Sequence, residues 1–224
     1  MKRTTPTRLI LLLAALFVTH AFAGVFISAS IAPPVLPVFA QPICPGDGYI
    51  WTPGYYAYGD YGYYWVPGTW VLAPRPGFLW TPGYWGWGSG LYRWHGGYWG
   101  PHVGYYGGIN YGFGYFGSGF VGGRWAGGAF HYNTAVSNVN ITNIHNTYVD
   151  RTVVRNTTVN TINHSYNGPG GVNAQASRQE RSAGRGPHTG PTPAQVAHSQ
   201  SAHANHVASH AGATRAGGHR GGHR

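Results

Sequence analysis

Between Gly48 and Gly100 the apolar positions of this chain are mostly aromatic rings, and they recur at a fixed spacing. The pattern is Trp-x-x-Gly-x-(Trp or Tyr). It occurs four times, at Trp51-Gly54-Tyr56, Trp65-Gly68-Trp70, Trp80-Gly83-Trp85 and Trp94-Gly97-Trp99. Trp51 to Trp80, Trp65 to Trp94 and Trp70 to Trp99 each span 29 residues without a gap, as do Pro45 and Pro74. The unit is therefore a duplicated module of about 29 residues, enough for one hairpin and a linker. Turn signals divide each unit, Gly59-Asp60-Tyr61-Gly62 in the first and Gly88-Ser89-Gly90 in the second. Folding about these turns predicts a register: Trp51 faces Trp70, Tyr56 faces Trp65, Trp80 faces Trp99 and Trp85 faces Trp94, with Pro53-Gly54 opposite Pro67-Gly68. Rings five residues apart would alternate faces on a regular strand. A bulge at each Pro-Gly, with glycine at positive φ, is therefore expected to bring them back to one face. The competing arrangement makes each Pro-Gly a tight turn between very short strands.

The remainder divides around this block. Residues 1–23 read as a signal peptide: Lys2, Arg3 and Arg8 precede an apolar run from Leu9 to Val18, and Ala21-Phe22-Ala23 is a cleavage site. That run is too short to span a bilayer, so no transmembrane helix is expected in the mature chain. Residues 24–47 form an extended Pro-rich lead-in, with a loosely alternating strand over 25–32. Residues 48–100 are the two hairpin repeats. Residues 101–166 continue as a β region, first Gly/aromatic (Tyr111, Phe113 and Tyr115 alternate with Gly112 and Gly114), then rich in Asn, Thr and Val. Residues 167–224 open on the breaker Asn167-Gly168-Pro169-Gly170-Gly171 and become helical, then a disordered His/Arg-rich tail. Ser177-Arg178-Gln179-Glu180 and Thr192-Pro193-Ala194-Gln195 are capping boxes, the second opening a helix that runs to about Ala211. The fold class expected is mainly β: duplicated aromatic Gly/Pro-rich β-hairpins, Asn/Thr/Val-rich strands, short C-terminal helices and a disordered tail.

Composition narrows the chemistry. Charged residues are 8% of the chain, against about 25% in ordinary domains. With 37 glycines and 16% aromatics, any core must be built from rings. The only acids are Asp47, Asp60, Asp150 and Glu180, and none sits in a recognisable acid/base pair, catalytic triad or nucleotide loop, so no enzyme is expected. The formal charge of +10 suits an anionic partner, or serves only solubility. Basic charge among aromatics also fits single-stranded nucleic acid, a partner that export disfavours. Cys44 stands alone, so it is either a buried small residue or an intermolecular handle. His203, His206 and His210 share one helical face and could hold Zn, Ni or Cu, or they belong to a solvated low-complexity tail. The motif rings either pack on one another or present flat platforms to a carbohydrate or peptidoglycan.

The paired motifs, with Cys44-Pro45-Gly46 ahead of them, resemble the bacterial WXXGXW (also YXWGXW) repeat proteins. The similarity extends through GGINYGFGYFGSGF, the Asn/Thr/Val tract, Ser165-Tyr166-Asn167-Gly168, and Pro191-Thr192-Pro193-Ala194-Gln195 with His198. It implies an exported protein of the Gram-negative envelope, periplasmic, at the outer membrane or secreted, and it implies no mechanism. The chain departs from the motif at Tyr56, where the second Trp is replaced, and at Gly96, where the motif proline is replaced. The function expected is a non-enzymatic structural or self-association role; the alternatives are glycan binding by exposed rings and metal binding by the C-terminal histidines.

Overall fold

The computed structural model describes residues 27–152 and 163–217. The expected signal peptide, the centre of the Asn/Thr/Val tract and the last residues of the tail lie outside them. The fold is mainly β, built from small sheets whose strands are two to five residues long, followed by two helices.

Each repeat is one kinked hairpin. The first runs through β2 (Tyr49–Thr52), β3 (Tyr55–Gly59), β4 (Gly62–Val66) and β5 (Thr69–Leu72); the second through β6 (Leu79–Thr81), β7 (Tyr84–Gly88), β8 (Leu91–His95) and β9 (Tyr98–Gly100). Every pair predicted from the sequence is formed: Trp51 with Trp70, Tyr56 with Trp65, Trp80 with Trp99 and Trp85 with Trp94. The register runs unbroken across the Pro-Gly steps, because both strands of a hairpin carry the same kink at the same height. The turn of the second hairpin is Ser89-Gly90, both at positive φ (53° and 79°), the type I′ geometry that matches strand twist.

The expected bulge at the motif glycines is not what the chain uses. None of Gly54, Gly68, Gly83 and Gly97 adopts a positive φ. Glycine is needed for clearance instead. A Cβ on Gly54 would lie 2.3 Å from Cζ2 of Trp65, and one on Gly68 would lie 2.4 Å from Cζ2 of Trp51. In the second hairpin a Cβ on Gly83 meets Trp94 and one on Gly97 meets Trp80, each at 2.4 Å. The first Trp of every motif therefore lies flat on the glycine of the motif it faces, and the two contacts of a hairpin are reciprocal. The kink also separates the rings rather than aligning them on one face. Trp51, Trp80 and Trp99 enter the main core with Tyr106, Tyr111, Tyr115, Phe130 and Tyr132, whereas Trp85 enters a second cluster with Ala29 and Tyr92.

The two hairpins are joined through rings. Tyr55 stacks on Trp94 at 4.9 Å, Tyr63 meets Trp85 edge-on at 5.2 Å, and the Trp85 indole N–H donates to the Tyr56 carbonyl at 2.8 Å. Outside the repeats, β1 (Ser28–Ala29) pairs antiparallel with β8, and β15 (Tyr166–Asn167) pairs parallel with β7, making a four-stranded sheet. β10 (Asn110–Gly112) with β11 (Tyr115–Phe116), and β12 (Gly123–Ala126) with β13 (Ala129–Asn133) and β14 (Thr147–Tyr148), complete the β structure. Described residues of the Asn/Thr/Val tract supply little strand and many clamps. Buried Asn133 donates to the carbonyls of Val121 and Asp150 and accepts from the N–H groups of Ala135 and Asp150. Asn138 holds Gln41 of the lead-in by two hydrogen bonds, and its carbonyl accepts from Cys44 N–H.

Both capping boxes form. Ser177 and Glu180 cap α1 (Arg178–Arg185) reciprocally, and Thr192 and Gln195 cap α2 (Pro193–Gly217). α2 continues past its expected end at about Ala211 to Gly217, and its histidine-bearing face docks on a hairpin, as described below.

The clearance argument is testable by denaturant unfolding. Gly83→Ala and Gly97→Ala are expected to cost at least about 1–3 kcal/mol, the cost of overpacking against a ring and backbone that cannot retreat. Gly88→Ala, where an added Cβ meets nothing within 4 Å, should stay within about 0.5 kcal/mol of the parent.

Candidate functional site

The three Pro-Gly steps and the Gly96-Gly97 step of the fourth motif converge. Pro53, Pro67, Pro82 and Gly96 stand at the corners of one cavity of about 180 Å³, walled by Tyr55, Trp80, Trp94 and Tyr111. Its floor is fixed by the motif itself: Thr52 Oγ1 donates to the Thr69 carbonyl at 2.8 Å, and Tyr111 Oη donates to the Gly83 carbonyl at 2.7 Å. Its roof is the first two turns of α2, with Gln195, Val196, His198 and Ser199 facing inward. The roof is pinned at two points. Trp99 Nε1 donates to Gln195 Oε1 at 2.8 Å, and His198 Nε2 lies 2.8 Å from the Pro67 carbonyl. A carbonyl only accepts, so Nε2 carries the proton and Nδ1 is left as an acceptor.

None of the eight motif rings is exposed. Trp51, Trp80, Trp85 and Trp99 are buried, and Tyr56, Trp65, Trp70 and Trp94 are half-buried. Rings with polar edges need partners when buried, and backbone carbonyls supply them: Trp70 donates to Pro42, Tyr115 to Trp80 and Tyr132 to Gly46. Trp51 Nε1 is buried with no partner among the described residues.

The histidine stripe lies on α2 as its spacing predicts, and it faces rings rather than solvent alone. His210 stacks on Tyr61 at 4.7 Å, His206 stacks on Tyr64 at 4.9 Å, and His203 tilts against Tyr64 at 5.4 Å. His206 and His210 meet edge-on at 4.4 Å. Among the described residues no group of three His, Cys, Asp or Glu side chains is placed to hold a metal ion. Burial, then the neighbouring His210 and His203, lowers the His206 pKa from its ordinary 6.5. Cys44 is buried, donates to the Gly46 carbonyl at 3.2 Å, and has its thiol pKa raised by burial.

Sequence reasoning located the motif rings and the histidine face. It missed the rings that receive them, Tyr55, Tyr61 and Tyr64, and the roof residue Ser199. The Thr192 capping box marks where α2 begins, but no local pattern says which surface the helix covers.

Two tests follow from the titrating groups. Burial, with Tyr105 and Tyr98 nearby, pushes the Tyr84 pKa up to about 12. Unfolded tyrosine ionises near about 10, so the stability this ring confers is complete below that pH and is lost as pH rises toward 12. Alkaline unfolding followed by tyrosinate absorbance should fall in that window, and Tyr84→Phe should flatten its pH dependence. The depressed His206 pKa has the opposite consequence: its contribution is present above about 6.5 and is lost as pH falls through the lower folded value. Hydrogen-exchange protection of residues 203–212 should therefore drop on acidification, and Tyr64→Ala should lower it at neutral pH while the strands stay protected.

No curated protein and no solved structure matches the chain. No helix among the described residues is long and apolar enough to cross a membrane. The family model of the WXXGXW repeat (2 copies) matches residues 46–71 and 75–99, which are the two hairpins whose kinks line the cavity; the chain carries two WXXGXW repeats.

Proposed function

We propose that this is an exported envelope protein that works without catalysis, as a structural element acting through self-association or contact with the envelope. One observation carries the structural part. The first ring of each motif is engaged in a reciprocal Trp-on-Gly contact, and Trp51, Trp85 and Trp99 are at most 1% exposed. A glycan platform needs a row of ring faces open to water, and the motif leaves no ring fully exposed. The signal-like segment of residues 1–23 supports export, and the scarcity of carboxylates supports a role outside catalysis. Support for self-association comes from the lead-in, where Val35 and Val38 are 59% and 95% exposed while Leu36 between them is buried. That irregular segment is packed through Leu36 and leaves two apolar side chains, Val35 and Val38, facing outward.

Fractionation of the producing cell should place the chain outside the cytoplasm; a cytoplasmic pool alone would end the export reading. Light scattering of the purified chain should show an oligomer that Val38→Lys shifts toward monomer at unchanged melting temperature. A parent that is already monomeric across the accessible concentrations would remove self-association. Retention on insoluble peptidoglycan by a well-folded chain would favour the glycan alternative.

A further inference from the structure

The cavity at the meeting point of the four motifs is more than a packing defect, and its chemistry is specific. Three of its corners are proline rings. The fourth is Gly96, where an added Cβ would meet nothing within 4 Å. The motif thus leaves out one ring at an exposed edge of the cavity. The volume of about 180 Å³ suits a single small ring system; a comparable apolar cavity of ~150 Å³ in another protein stays dry and takes up benzene.

The lining sets the polarity. It carries no Asp, Glu, Lys or Arg, so a charged ligand would be desolvated without a counter-charge. Its polar side chains are uncharged, with Thr52 and Thr69 on the first hairpin and Gln195, His198 and Ser199 at the roof. His198 uses its Nε2 hydrogen on the Pro67 carbonyl and keeps Nδ1 as an acceptor. Ser199 Oγ donates to the Val196 carbonyl at 2.9 Å, which leaves its lone pairs to accept, and the Tyr55 hydroxyl sits against it. A pyranose brings hydroxyls around its whole rim and would leave most of them unpaired against proline and indole. An aromatic ring with one donor matches both halves of the site: π-faces against Tyr55, Trp80 and Trp94, and one O–H or N–H toward the roof acceptors.

We propose that this cavity binds a small uncharged aromatic molecule bearing a single O–H or N–H donor, of phenol or indole size. The site is independent of the envelope role proposed above, and a monomeric or an oligomeric chain would carry it equally.

The test is calorimetric titration of the purified full chain with phenol and with indole, and with N-acetylglucosamine as the sugar probe. Saturable binding of phenol or indole is expected, weakened at least about tenfold by Gly96→Phe, which fills the open corner. Val196→Trp, which puts a larger side chain at a half-exposed lining position of the roof, should weaken it similarly, and thermal unfolding checks that both variants are folded. Three results would overturn the proposal: no heat from either aromatic with a folded parent, binding that both folded variants retain, or binding of the sugar at this site with none of the aromatics.

Discussion

Everything in the repeat block depends on one contact, an indole lying on a glycine of the facing strand. The ring edge approaches so closely that a methyl group at any of the four glycines would sit inside van der Waals contact. This is why the motif fixes both the residue types and their spacing. Trp at the first position reaches across the hairpin, Gly at the fourth receives the ring from the other side, and Trp or Tyr at the sixth pairs with the ring that has crossed. Because the contact is reciprocal, neither motif of a hairpin can be satisfied alone. Proline before the glycine holds the backbone extended through the kink without asking for a ladder hydrogen bond. The kink in turn sends Trp80 and Trp99 to one cluster and Trp85 to another, so a strand too short to have two working faces still contributes to two cores.

A core of indoles and phenols brings a polar obligation that an aliphatic core does not. Each buried N–H and O–H must find an acceptor, and in this chain the acceptors are mostly backbone carbonyls of irregular segments: Pro42, Gly46, Phe78, Gly119. The glycine-rich stretch after the repeats fits that need, since glycine lets carbonyls approach the rings closely. The tyrosines pushed to high pKa, Tyr84, Tyr106, Tyr111 and Tyr115, are all placed so by burial first. With charged residues so scarce, phenol hydroxyls carry much of the side-chain polar bonding inside the fold.

The hairpin register was legible because it rests on local arithmetic: a duplication without gaps, turn residues at the midpoints, and rings that must face one another. The caps were legible for the same reason, since Ser177 with Glu180 and Thr192 with Gln195 are three residues apart. The role of the motif glycine was misread, because sequence shows that glycine is required and not whether conformation or clearance requires it. Long-range choices left no local trace. Asn133 looks like any other Asn in a polar tract, yet it clamps Val121 to Asp150; Tyr61 and Tyr64 look like hairpin-tip residues, yet they receive α2. The cavity had a faint signal in Gly96, the one motif position lacking its proline, but its meaning depends on four kinks meeting at a point.

That meeting point also explains why two near-identical hairpins end in different surroundings. If the copies were equivalent, a single neighbour could cover either one. The second copy has β1 and β15 along its distal strands and becomes the centre of a four-stranded sheet. The first keeps a two-stranded tip, which α2 covers with its histidine face. The helix begins over the kinks, where Gln195 and His198 bond to Trp99 of one copy and Pro67 of the other. It therefore spans the duplication and reads both halves at once. The roof is held there by two side-chain hydrogen bonds and, further along, by the stacks of His206 on Tyr64 and of His210 on Tyr61.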